Sequence, residues 1–148
     1  MRKLLNLLTI VILVPALLAG CKKNKDENAK VKLLTERTWH ITQYQYREFS
    51  TDPWDVEDVT DPCELDDIFT FLTNGTYNYT EGPTKCDPLD PDQIDSGNWS
   101  LQTDETILRI TSGGDTVDFT IEQLDANTLM IMYYDASGPE YLRIVFHH

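Results

Sequence analysis

Residues 69–79 read FTFLTNGTYNY, and this hairpin constrains the fold more than any other stretch of the chain. A two-residue turn at Asn74-Gly75 would set Phe71 opposite Asn78 and Phe69 opposite Thr80, mixing rings and polar groups on both faces. A three-residue loop with Gly75 left-handed pairs Phe71 with Tyr77 and Phe69 with Tyr79, leaving Thr70, Thr76, Asn78 and Thr80 on the other side. A one-residue slip would move the whole set across the sheet, so the second register, with four rings on one face, is the expected one.

The same period of two recurs downstream. Trp99 falls with Leu101, Leu108 with Ile110, Val117 with Phe119 and Ile121, and Leu142 with Ile144 and Phe146. Short runs rich in Thr, Tyr, Phe, Ile and Val, separated by turn residues and lacking a sustained 3.6 period, indicate an all-β domain. Eight strands are expected: Thr38–Phe49, Asp67–Leu72, Thr76–Glu81, Gly97–Thr103, Thr106–Ser112, Thr116–Leu124, Thr128–Tyr134 and Glu140–His147. Ala29 to Glu36 is expected to form a short helical turn with Leu33 and Leu34 inward. Both faces are apolar around Met130 to Tyr134, which asks for cover on each side of that strand.

The amino terminus differs in kind. Met1, Arg2 and Lys3 precede an apolar stretch from Leu4 to Ala19. Export signals carry an apolar region of about 7–15 residues, whereas a spanning helix needs about 20, so the stretch suits a signal segment better. Leu18-Ala19-Gly20-Cys21 resembles the lipobox of bacterial lipoprotein signals. That resemblance implies cleavage before Cys21, a lipid on its thiol and an acylated amine. The resulting division is a signal peptide at 1–20, a lipidated cysteine and polar tether at 21–31, and a β domain at 32–148. Lys22, where a retained lipoprotein would carry aspartate, implies the outer membrane of the cell envelope.

From Leu33 to Phe146 the chain resembles the small lipocalin-like domains of Gram-negative lipoproteins. The residues that carry the resemblance are Leu34 with Trp39, Asp61-Pro62-Cys63, Phe69-Thr70-Phe71, Asn74-Gly75-Thr76-Tyr77, Cys86, Gly97 with Trp99, and Thr128-Leu129. Where such domains usually have glycine two positions before the first tryptophan, this chain has Arg37. The resemblance implies an eight-stranded antiparallel up-and-down β-barrel, whose interior is either filled by side chains or holds one small ligand. Trp39, Phe69, Phe71, Tyr77, Tyr79 and Trp99 would line it.

In such a meander the connections alternate between two ends. The turns at Asn74-Gly75, Asp104-Glu105 and Asp125 to Asn127 fall at the end where the first strand begins. The long connections Ser50 to Asp66 and Gly82 to Ser96 fall at the other. Each long connection carries one cysteine, Cys63 and Cys86. With Cys21 acylated and the compartment oxidising, these are expected to form a disulfide.

The chain is acidic, with net charge −13 and a pI near 4.4, and no basic cluster interleaved with aromatics offsets this. Nucleic acid is not an expected partner. Thirteen of the 25 acids lie in or beside the two long connections. Among them Asp90, Asp92 and Asp95 have a spacing that calcium could use, but the D-x-D-x-D-G order of an EF-hand is absent, so no metal and no cofactor are expected. No GxSxG, HExxH, P-loop or GxGxxG occurs, and the histidines, His40, His147 and His148, sit in no recognisable catalytic setting. The expectation is a non-enzymatic, membrane-anchored barrel that binds a small apolar or amphipathic molecule. The rival is a filled barrel that contacts an envelope protein or a glycan through its acidic loops, with Trp54 as an exposed anchor.

Overall fold

The computed structural model describes residues 27–138 and 140–148. The signal segment, Cys21 and the start of the tether lie outside the described residues. Helix α1 (Glu27–Thr35) leads into β1 (Thr38–Arg47), followed by β2 (Asp55–Asp58), helix α2 (Pro62–Leu65), β3 (Ile68–Phe71), β4 (Thr76–Thr80), β5 (Gln93–Gln102), β6 (Ile107–Ser112), β7 (Asp115–Leu124), β8 (Thr128–Asp135) and β9 (Glu140–His147).

All the strands lie in one antiparallel sheet. It runs β1-β3-β4-β5-β6-β7-β8-β9 and closes where β9 pairs with β1 from His40↔His147 to Arg47↔Tyr141. The result is a closed eight-stranded barrel. Closure removes the free edges that an open sheet would present. The expected hairpin register holds: Phe71 opposes Tyr77 and Phe69 opposes Tyr79, and Gly75 has φ of 83° in the turn. Gly97 has a different reason to be glycine. A Cβ there would sit 2.0 Å from the Thr111 carbonyl oxygen and 3.0 Å from the Tyr77 ring, so only a bare backbone lets β5 pass between them.

Several expectations are corrected. Strand β1 ends at Arg47 instead of Phe49, and β5 begins at Gln93 instead of Gly97, because Tyr79 and Thr80 continue the ladder onto Asp95 and Gln93. The connection from Ser50 to Asp66 contains an additional strand. Its cause is the shortness of β3, which pairs with β1 only at Thr38↔Thr70 and Trp39↔Phe69. That leaves the edge of Gln43 to Tyr46 that faces away from β9 without a partner, and β2 supplies one, from Gln43↔Asp58 to Tyr46↔Asp55.

The base of the barrel is sealed. Leu34 and Trp39 are fully buried, and the Trp39 indole donates to the Leu34 carbonyl at 3.0 Å. Helix α1 is tied to the basal turns by Lys30 Nζ donating to the Glu105 carbonyl at 2.7 Å, and Arg37 donates to the Ala126 carbonyl. Trp99 closes the adjoining wall, its indole donating to the Leu72 carbonyl at 3.0 Å and its ring meeting Phe71 edge-on at 5.5 Å. The helix is longer than expected, Glu27–Thr35 in place of Ala29 to Glu36.

Outside the barrel, Trp54 from the connection before β2 packs on the wall formed by β1 and β9. The Arg47 guanidinium lies over its ring at 4.1 Å and the Arg143 guanidinium at 3.9 Å. Arg143 in turn bonds Glu122 and, at 3.0 Å, Gln45. Trp54 is therefore a half-buried component of the outer wall and not an exposed anchor.

Candidate functional site

Among the described residues, two neighbouring cavities lined by inward strand residues open above the sealed base. The first is the barrel lumen, about 240 Å³. Its wall is made of Phe69, Phe71, Tyr77, Phe119 and Phe146 with Ile41, Ile110, Val117, Ile131 and Ile144, all inward by strand alternation. Phe69 is the organising ring: it stacks on Tyr77 at 5.1 Å, touches Phe71 at 5.0 Å and meets Phe146 edge-on at 5.7 Å. Polar groups appear only toward the mouth, where Asp95, Ser112 and Asp115 complete the lining.

Asp95 is the lumen's fixed polar group. Its carboxylate accepts from the Tyr77 hydroxyl and from the Ser112 hydroxyl, each at 2.5 Å. Burial alone would raise its pKa, but the bonds from Ser112, Tyr77 and the Ser96 backbone N–H outweigh that and hold it below the usual carboxylate range. Burial, reinforced by the bond to Asp95, pushes the Tyr77 hydroxyl up to about 12. At neutral pH the pair is a neutral phenol donating to an anion.

The second cavity, about 350 Å³, lies beside the lumen. It forms where β3 has ended and β1 and β4 are no longer bridged by a strand. Tyr44 and Tyr79 line its strand side together with Ile41 and Ile94, and the connecting segments supply Val59, Glu64, Glu81 and Asp90. Cys63 and Cys86 also line it and are joined to one another, with a Cα–Cα distance of 5.2 Å, so the disulfide links the two loops over this annex. Asp67, only 7% exposed, lies against it, accepting from Tyr79 Oη at 3.3 Å and from the Gly82 N–H at 3.2 Å. Burial first, and then the Asp67 charge, push the Tyr79 hydroxyl well above the ordinary tyrosine value. Tyr44 is raised for the same two kinds of reason, burial ahead of neighbouring negative and phenolic groups.

Against these cavities the six aromatics read from the sequence separate into groups. All six belong to one packed cluster. Phe69, Phe71 and Tyr77 line the lumen and Tyr79 lines the annex, whereas Trp39 and Trp99 line neither and plug the base and its adjoining wall. The lumen residues Phe119, Ile144 and Phe146 were legible only as alternating inward positions, and Ile131 only as part of a stretch apolar on both faces. The annex had no sequence signal, since it depends on where β3 stops.

The three spaced acids do not assemble. Asp92 pairs with Lys85 Nζ at 2.5 Å, Asp95 faces the lumen on Tyr77 and Ser112, and Asp90 borders the annex. Among the described residues no group of three or more His, Cys, Asp or Glu side chains is placed to hold a metal ion.

Comparison with known proteins agrees with the architecture. The model of the lipocalin-like domain family matches residues 35–131, more than half of the chain. A crystal structure of a lipocalin-like protein from Bacteroides uniformis superimposes with a TM-score of 0.51 at 17% identity, covering 78% of this chain and 97% of that one. At that identity the likeness speaks for the fold alone. No curated protein matches.

Proposed function

Since the chain belongs to the lipocalin-like domain family, we propose that it is a lipid-anchored envelope protein whose barrel binds a small apolar or amphipathic molecule without covalent chemistry. The observation that carries the reading is the lumen: about 240 Å³, walled by phenyl and aliphatic side chains, with its polar groups confined to the rim. A concave apolar chamber with a few convergent polar groups is the usual form of a small-molecule site, although this one is at the small end of the range. The sealed base leaves the mouth as the way in.

Anchoring rests on the sequence at Leu18 to Cys21, and the outer membrane is the proposed location. Each buried CH₂ of an acyl chain contributes about 0.8 kcal/mol, so two or more chains hold stably where one does not. Because α1 enters at the base, a tether from Cys21 would present the mouth away from the lipid surface.

Two measurements test this. Titration of the full-length chain with an apolar fluorescent dye should saturate, and Val117→Phe, which fills the lumen, should lower dye affinity at least tenfold with little change in melting temperature. A dye response unchanged by Val117→Phe would reject the lumen as the site. For the anchor, radiolabelled palmitate should enter the wild-type chain and not Cys21→Ser; equal labelling of both would reject it.

A further inference from the structure

The annex is the more acidic of the two cavities. The charged side chains in its lining, Glu64, Asp67, Glu81 and Asp90, are all acidic, against Asp95 and Asp115 at the lumen rim, and neither cavity has a lysine or arginine in its wall. Asp67 is the telling member. It is more than nine-tenths buried, it touches the cavity, and it makes no ion pair among the described residues; its two hydrogen bonds, at 3.2 and 3.3 Å, are long for a carboxylate. Buried carboxylates are ordinarily paired, since an isolated one loses hydration without recompense. Lys85 approaches the same loop, but its ammonium is held by Asp92 and by the Asp90 carbonyl at 2.7 Å. Glu81 is raised by desolvation and then by Asp67 and Asp90, which together outweigh the lowering effect of Lys85.

The shape of the annex says what kind of cation would suit. Tyr44 and Tyr79 present rings beside the carboxylates, and Ile41, Val59 and Ile94 complete an apolar wall. Aromatic faces beside acids favour an organic ammonium over a hard metal ion, which would ask for several convergent oxygens. Ile41 lines both cavities, so the annex and the lumen meet at one side chain.

We propose that the ligand is an amphipathic amine, its apolar tail in the lumen and its cationic head in the annex against Asp67, Glu64 and Glu81. This rests on the lumen being a ligand chamber, as argued above, and adds the chemical class.

The test compares three probes of equal tail length, octyltrimethylammonium, octanol and octanoate, titrated into the full-length chain below their micelle-forming concentrations. The ammonium should bind at least tenfold more tightly than octanol, octanoate should bind weakest, and the preference should shrink as salt rises. The double variant Glu64→Gln with Glu81→Gln, both groups at the solvent side of the annex, should reduce the ammonium preference at least fivefold. Glu48→Gln, which removes a charge but lines neither cavity, should leave it intact. Equal affinity for ammonium and octanol, or equal loss in Glu48→Gln and in the double variant, would overturn the amine assignment while octanol binding kept the lumen. Binding of none of the three would overturn both.

Discussion

At the base of the barrel Leu34 and Trp39 have no exposed surface and α1 is bonded to the basal turns, whereas at the mouth Leu89 is 91% exposed and Phe49 56%. The base is held by packing. The mouth is held by a disulfide, a lysine–aspartate pair and loop hydrogen bonds, around cavities that packing has not filled. The contrast teaches that packing holds one end and a covalent link the other, so a substitution in the packed base should change stability without changing binding, whereas loss of the disulfide should change both.

The largest test of that division is Trp39→Ala. Removing a buried indole from the base should cost about 3–5 kcal/mol, read as a lower denaturant midpoint, whereas Leu89→Ala at the mouth should stay within about 0.5 kcal/mol. Comparable losses at the two sites would break the comparison. Next comes Cys63→Ser with Cys86→Ser. Cross-linking residues 23 apart should contribute about 3 kcal/mol in the chain-entropy model, and its loss should also loosen ligand binding, which Trp39→Ala should do only through unfolding.

The pH dependence sharpens the comparison at the lumen rim. The Tyr77 hydroxyl loses its proton near 10 when unfolded and at about 12 in the fold, so folding favours its neutral form. That contribution is complete below pH 10 and is lost as pH rises from 10 through about 12. Asp95 works in the opposite direction: lowered by its hydrogen bonds, it contributes above the ordinary aspartate pKa and ceases to as pH falls through its depressed value. In Tyr77→Phe the alkaline decline in denaturant midpoint should flatten between pH 10 and 12; an unchanged profile would deny the coupling.

The smallest expected effect is a gain at the base. Thr103, Asp104 and Glu105 turn with φ of 51°, 52° and 63°, a left-handed run without glycine. Asp104→Gly should stabilise the fold by about 1 kcal/mol with no change in dye affinity. A loss would mean that the turn's side chains contribute more than its backbone strain costs.

What could be read before folding is visible in the hairpin at 69–79. Four rings and Gly75 leave a single register that keeps one face apolar, because strand alternation is local and a slip is punished at every residue. Asp55 to Asp58 shows the opposite case. DVED is exposed throughout, and its strand exists because β3 stops short and leaves the edge of β1 away from β9 unpaired. Trp54 likewise looked like a surface anchor until closure of β9 on β1 brought Arg143 as well as Arg47 over its ring.

The chain's own pattern thus determined eight alternating strands, their inward rings and the two cysteines at one end. Only closure of the barrel decided that Trp39 and Trp99 serve as plugs, that β1 and β4 part near the mouth, and that four acids from separate segments face one chamber. The physical reason is range: alternation is settled between neighbours along the chain, while a cavity and its charge are settled between segments that meet only when the cylinder closes.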